Sequence, residues 1–396
     1  MNLSSTRRRL FASALAGLLC HSLPVFAQSP DNSRILTRET TGYTLTLRLP
    51  QNAIVAGAET VLYLRVEEGD DKKAVPYSRV EATAKPAAGG KTAAFAALPG
   101  GVAGEYTLVG NFPVEGTYEI AVKVTPPGDG AKSVEATFAT VTVVAEKGKQ
   151  TESNVYQLKV ETTPAQPLPG EVVSLRLSIV DATTKKRVTD FEAIYGARMH
   201  LYMVREDVGT LRRDKPVYLQ VAPGSKDDGV FTLDTAFSSG GEWRLFAEVA
   251  PTKQGTQIVS ARVTIPGAQS LSEPMMAQIA PVIRQSNVTL RFARPTRFVA
   301  RQTVYLPLLL EDSQGNALSD LQMTDTALAH LFFVDKSGKQ FVHTVPDTGD
   351  LGSINNNKQM SFPVRFPAGG TYRAFFIASR AAQPVLVSFV VRVSDK

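Results

Sequence analysis

The chain of 396 residues contains one cysteine, one tryptophan and four histidines. The cysteine, Cys20, falls within an N-terminal leader, so the mature chain has none. Without a thiol it makes no disulfide, no zinc-thiolate site, no haem attachment and no thiol chemistry. His21 leaves with the leader, and only His200, His330 and His343 remain for acid–base or metal work. No later stretch reaches the roughly 18 uninterrupted apolar residues of a membrane span. Neither a Gly-x-Ser-x-Gly elbow, a His-Glu-x-x-His pair nor a phosphate-binding glycine loop occurs. A carboxylate-pair hydrolase stays open on composition, but no aromatic cluster is present to seat a sugar. Helical periodicity is nearly absent.

What is present begins with an export signal. Arg7-Arg8-Arg9 precedes the short apolar stretch from Leu10 to Leu19, and Val25-Phe26-Ala27 places cleavage after Ala27. Thr6-Arg7-Arg8-Arg9-Leu10-Phe11 also resembles a twin-arginine motif, so the general secretory and twin-arginine routes both stay open. Bulky Leu19 before Cys20 speaks against lipid attachment there. The mature protein is expected in the bacterial periplasm or at the cell surface. Removing the three leader arginines from 43 basic residues leaves 40 against 37 acidic ones, a net charge of +3. No basic stripe with interleaved aromatics supports nucleic-acid binding. Arg291, Arg294, Arg297 and Arg301 cluster around one expected strand and read as a charged, solvated edge.

A repeat organises the rest. Gly116-Thr117-Tyr118, Gly241-Glu242-Trp243 and Gly370-Thr371-Tyr372 each open a run of alternating apolar residues, 125 and 129 residues apart. That spacing suits one immunoglobulin-sized sandwich plus a linker. Leu47, Val160 and Leu290 lie on opening strands and are followed ten residues later by Gly57, Gly170 and Ala300. The expected fold is therefore all-β: three tandem immunoglobulin-like antiparallel β-sandwiches after a signal peptide. The boundaries read 1–27 signal peptide, 28–40 flexible segment, 41–146 first sandwich, 147–154 linker, 155–266 second sandwich, 267–285 linker and 286–396 third sandwich. Trp243 takes the place of Tyr118 and Tyr372 and reads as core. The pair Met275-Met276 in the second linker reads as packing against a neighbouring module rather than as a soft-metal site.

The second and third modules align without gaps across their middle. Asp190, His200, Val204, Arg213 and Pro216 match Asp320, His330, Val334, His343 and Pro346. If Lys336-Ser337 forms a two-residue turn, paired positions sum to 673 and His330 faces His343 directly. If Gly338 closes a three-residue loop with a bulge, the sum is 674 and the two rings point to opposite faces. The first register gives two imidazoles for one soft or borderline cation, too few for a tight site unless Met323 or Asp325 assists. The other reading has His200 and His330 as structural groups at strand starts, bonded to a neighbouring loop through Asp190 or Asp320.

The Ala-x-x-His-Leu strand, the Asp335-Lys336-Ser337-Gly338 turn, Phe341-Val342-His343 and Phe366-Pro367-Ala368-Gly369-Gly370-Thr371-Tyr372 resemble the secreted YtkA-like and FixH-like immunoglobulin modules. Phe112-Pro113-Val114-Glu115-Gly116-Thr117-Tyr118 resembles them more faintly. Some of those modules occur beside copper-handling or respiratory proteins. The His-x-His-Pro segment frequent among the second type reads Val342-His343-Thr344-Val345-Pro346 here and Arg212-Arg213-Asp214-Lys215-Pro216 in the second module. The resemblance thus implies a copper role centred on His330 and His343, less so on His200. Three functions stand side by side: a non-catalytic module for protein interaction or spacing, a weak periplasmic copper binder, and a polysaccharide-binding or polysaccharide-active protein. The first needs no cofactor and gains its contacts through unpaired strand edges.

Overall fold

Alternating apolar and polar residues fold into strands throughout the computed structural model. It describes residues 34–396 except 51, 146–154, 210, 215–216, 219–227, 269–274, 276–281, 286–287, 295, 319, 324–326 and 348–358. The leader with Cys20, the linker at 147–154, Pro216, Met276 and Asp325 lie outside the described residues. No α-helix occurs among the described residues, and the fold is all-β.

The first module is one sheet folded on itself. Strand Ala93–Pro99 pairs with Arg79–Pro86 through Ala82 and Phe95, and with Glu105–Asn111 through Ala96 and Val109. It thereby joins both layers at a corner. The second module opposes a four-stranded sheet around Val172–Asp181 to a five-stranded sheet around Gly241–Pro251. The third opposes a four-stranded sheet around Thr303–Asp312 to a six-stranded sheet around Gly370–Arg380. Each sandwich has its own core: Leu64, Leu108 and Phe138 in the first; Leu175, Leu201 and Trp243 in the second; Leu308, Phe333 and Phe376 in the third.

The glycine-aromatic repeat has a common purpose. Tyr118 Oη donates to the Val114 carbonyl at 2.9 Å, Tyr372 Oη to that of Ala368 at 2.8 Å, and Trp243 Nε1 to that of Ser239 at 3.1 Å. Each ring lies in the core and closes the preceding turn four residues back, the arrangement of a tyrosine corner. A buried aromatic with a polar tip must find such a partner, which is why only Tyr or Trp stands there.

A second repeated turn corrects the sequence alignment. The amide of Gly57 bonds the Phe112 carbonyl, that of Gly170 the Phe237 carbonyl, and that of Arg301 the Phe366 carbonyl, each at 2.8 Å. The three share a left-handed backbone, with φ of 77°, 79° and 61°. Arg301, not Ala300, is therefore the counterpart of the two glycines. By ladder register Phe292, not Leu290, is the counterpart of Leu47 and Val160, so the third module's loop is one residue shorter and counting from Leu290 misses the match.

Three further expectations change. Residues 35–40 are not loose: Ile35–Thr40 pairs with Tyr43–Arg48 across a Thr41-Gly42 turn. Its mostly polar side chains, none of them fully buried, conceal an edge strand held by backbone bonds. The second linker ends early, because Val282–Gln285 pairs with Val288–Phe292 and buries Ile283 in the third core. That added strand also makes Val288–Phe292 an inner strand rather than an edge. Of its arginines, Arg291 pairs with Glu311 at 3.0 Å and Arg297 donates to the Lys396 carbonyl at 3.0 Å.

Candidate functional site

The strands Met199–Arg205 and Ala329–Asp335 are buried along both faces. One face of each feeds its own core. The other faces meet each other: Tyr202, Val204, Leu211 and Phe246 of the second module pack with Phe332, Val334 and Phe375 of the third. Tyr202 and Phe332 are sequence equivalents, and their rings lie 5.0 Å apart. Phe246 stacks on Phe341 at 4.7 Å. Like positions meeting like positions is the mark of a two-fold interface, here between two copies in one chain. Met275 packs against this cluster, as its sequence reading has it. A smaller cluster joins Val102 of the first module to Ile194, Tyr195 and Ala250 of the second and Ala327 and Val345 of the third.

All three mature histidines converge at this junction. The hairpin of Ala329–Asp335 and Phe341–Thr344 adopts neither expected register. Phe332 pairs with His343, so paired positions sum to 675. The loop is four residues long because the Asp335 carboxylate accepts from the amides of Ser337, Lys339 and Gln340 at 3.1, 2.7 and 2.6 Å. His330 and His343 are then diagonal neighbours on one face. His330 Nδ1 lies 3.0 Å from His343 Nε2. His343 Nδ1 lies 2.9 Å from Oε2 of Glu248, which reaches across from the second module. Tyr202 Oη donates to the same carboxylate oxygen at 2.7 Å. His200 Nε2 donates to the Ile194 carbonyl at 2.8 Å, and its Nδ1 accepts from Arg213 at 3.2 Å. Tyr195 presents its ring to His200, His330 and His343, with centroids 5.9, 5.4 and 5.1 Å away.

Burial is the largest single influence on each of these acidic groups. It raises the Glu248 carboxyl, but the neighbouring His343, with hydrogen bonds from His343 and Tyr202, outweighs it and holds Glu248 below the usual carboxylate range. Burial, then the Glu248 charge, pushes the phenols of Tyr195 and Tyr202 well above theirs. Glu248, His343 and His330 thus form a carboxylate–imidazole–imidazole chain able to shift a proton internally. It has no reach to a substrate, since the side chains of His343 and Glu248 are 1% and 4% exposed.

A second polar junction ties the first module to the second. Arg48 bridges Glu105 and Glu192, both at 3.5 Å, and Arg65 bonds Glu192 at 3.0 Å. Tyr63 Oη donates to the Thr256 carbonyl at 3.1 Å. Burial pushes the Glu105 carboxyl up to about 7, against the pull of Arg48.

The sequence-read ligands divide. His330 and His343 come together. His200 joins the junction but spends its nitrogens on Ile194 and Arg213. Met323 stands 46% exposed, unlike the sealed pair. Asp190 and Asp320 do not serve the histidines: the Asp190 carbonyl takes the Thr252 amide, and Asp320 pairs with Arg380 at 2.8 Å. Among the described residues no group of three or more His, Cys, Asp or Glu is placed to hold a metal. Sequence reasoning missed Glu248, Tyr202 and Tyr195. The signal was a lone glutamate inside the run Trp243-Arg244-Leu245-Phe246-Ala247-Glu248-Val249, too apolar to face water on either side.

One family model matches the chain twice, over residues 152–267 and 283–395, together more than half its length. The chain belongs to DUF8832, a domain family of unknown function. Its two DUF8832 copies are the two modules that meet through equivalent residues. No curated protein matches the chain. Among solved structures it is similar to a DUF4426 family protein from Pseudomonas aeruginosa PAO1, at 11% identity and a TM-score of 0.22, over 28% of this chain and 97% of that one. It is also similar to FdeC, an Escherichia coli adhesin, at 17% identity and a TM-score of 0.19, over 88% of this chain and 96% of that one. A third is an ice-binding, Ca2+-stabilised adhesin of an Antarctic bacterium, at 13% identity and a TM-score of 0.21, over 91% and 75%.

Proposed function

We propose that this DUF8832 protein is a non-catalytic component of the exported space, a protein-interaction or spacer module whose three sandwiches are docked into one body. The observation that carries this reading is the location of the titratable groups. His200, His330, Glu248 and the imidazole of His343 are all buried at the seam between modules, where the His343–Glu248 bond joins the third sandwich to the second. Catalysis needs such groups at a surface that substrate reaches. The leader read in residues 1–27 supports export to the periplasm or the cell surface. The test is in-cell crosslinking of the mature protein followed by purification. A stoichiometric protein adduct is expected, and its absence removes the interaction reading.

A second reading keeps copper. It is favoured by the 3.0 Å separation of His330 Nδ1 and His343 Nε2, close to the spacing of two imidazoles on one ion. It is opposed by the absence, among the described residues, of any group of three or more His, Cys, Asp or Glu placed to hold a metal. Copper titration of the mature protein against a His330→Ala, His343→Ala double variant decides it. Equal binding by both proteins eliminates the copper role.

A further inference from the structure

A polar cleft of about 360 Å3 lies where the first module meets the third. Gly57, Glu59 and Asn111 line it from the first module; Arg301, Thr303 and Arg365 line it from the third. Its volume is at the small end of sites that hold organic ligands. The floor is apolar, made of Val109 and the alanines of strand Ala93–Pro99.

The third module has installed a charge here at a conformational cost. Arg301 occupies the left-handed turn position that Gly57 and Gly170 fill in the other two sandwiches. A side chain in that conformation costs about 1–2 kcal/mol. Among the described residues the Arg301 guanidinium makes no hydrogen bond and no ion pair, so no internal contact offsets the strain. Strained residues of this kind concentrate at ligand sites. A second observation is independent of the first. Arg365 Nε and Thr303 Oγ1 are buried without a hydrogen-bond partner, on two residues paired in register. The other end of Arg365 is engaged, its Nη2 donating to Glu59.

We propose that this cleft binds a small carboxylate ligand through Arg301. The charge balance selects the class. Two guanidinium groups against one carboxylate leave a single positive charge, which suits a monoanion. A phosphate monoester, with a charge of about −1.5 to −2, would overbalance that single charge and leave the cleft net negative beside Glu59. The planar fork of an arginine matches the two oxygens of a carboxylate. Thr303 and Asn111 supply hydroxyl and amide groups for the rest of the ligand. A sugar acid and the C-terminal end of a short peptide share this chemistry. The site is separate from the sealed histidine junction, so the proposal stands or falls independently of the function proposed above.

The test is titration calorimetry of the mature full-length protein with glucuronate and with N-acetyl-dialanine. Glucose and N-acetyl-dialanine amide serve as neutral counterparts. At least one acid is expected to bind saturably and ten-fold or more tighter than its neutral counterpart; which one does so identifies the source. Arg301→Gly is expected to weaken that binding ten-fold or more. The same variant should melt at the wild-type temperature or higher, because glycine relieves the turn. Equal binding of acids and neutral counterparts, or an unaltered affinity in Arg301→Gly, overturns the proposal.

Discussion

At the scale of single residues, two buried glutamates oppose each other in their response to pH. Glu248 is held below its usual range, so the unfolded chain binds its proton more readily than the folded one. Its stabilising contribution is complete above the ordinary carboxylate range and is lost as pH falls toward the folded value. Glu105 is pushed up to about 7, so the folded chain holds its proton more tightly. Its contribution is complete below the ordinary carboxylate value and is lost as pH rises through about 7. Glu248→Gln keeps the shape but loses the charge facing His343. It is expected to cost about 1–3 kcal/mol near neutral pH and to flatten the loss of stability on acidification. Glu105→Gln mimics the protonated acid. Its melting temperature is expected to match wild type at pH 4 and to exceed it by a few degrees at pH 8. Thermal melts across pH 3–9 check both variants. A Glu105→Gln protein less stable than wild type at pH 8 would show that the Arg48 bond outweighs the burial.

At the scale of elements, the hairpin register decides whether His330 and His343 meet. Its loop is closed by the Asp335 carboxylate rather than by a standard two-residue or bulged turn. Asp335→Ala is expected to cost about 1–2 kcal/mol, the value of a lost cap. Amide exchange at Lys339 and Gln340 should accelerate while that of Phe333 is retained, as hydrogen-exchange measurements will show. Undiminished protection at Gln340 would mean that the ladder alone sets the loop. The strands themselves were legible, since alternation in segments such as Glu59–Glu68 maps directly onto one buried face. The glycine-aromatic repeat marked the start of one strand per module and its core aromatic. Loop length was not legible, because a side-chain acceptor created a turn that backbone rules do not enumerate. The parity of the pair survived by chance: sums of 673 and 675 put both rings on the same face. The polar edge strand Ile35–Thr40 was hidden because backbone bonds leave no pattern in side chains.

At the scale of the whole molecule, residues 34–396 form one compact unit, although each sandwich has a core of its own. The sequence did carry a sign of this. In the first module the strand Gly116–Thr125 alternates between buried and exposed residues, whereas its counterparts Gly241–Pro251 and Gly370–Arg380 carry consecutive buried residues, 245–251 and 372–376, on both faces. Strands apolar on both faces belong in the middle of a structure. The second and third modules therefore spend a sheet face on each other, and the first attaches through Arg48, Arg65 and Glu192. If these seams hold, the protein unfolds as a unit rather than as three independent sandwiches. Calorimetry of wild type is then expected to give one transition whose calorimetric and van't Hoff enthalpies agree. Phe332 is the place to break the coupling, because its ring packs against Tyr202 and not in the third module's own core. Phe332→Ala should cost about 3–5 kcal/mol, the usual range for emptying a buried phenylalanine site. The loss should appear as a separation of the melt into two transitions, with the third module unfolding first. A uniform downward shift of one undivided transition would instead place Phe332 in the third module's folding core and make the seam a passive contact.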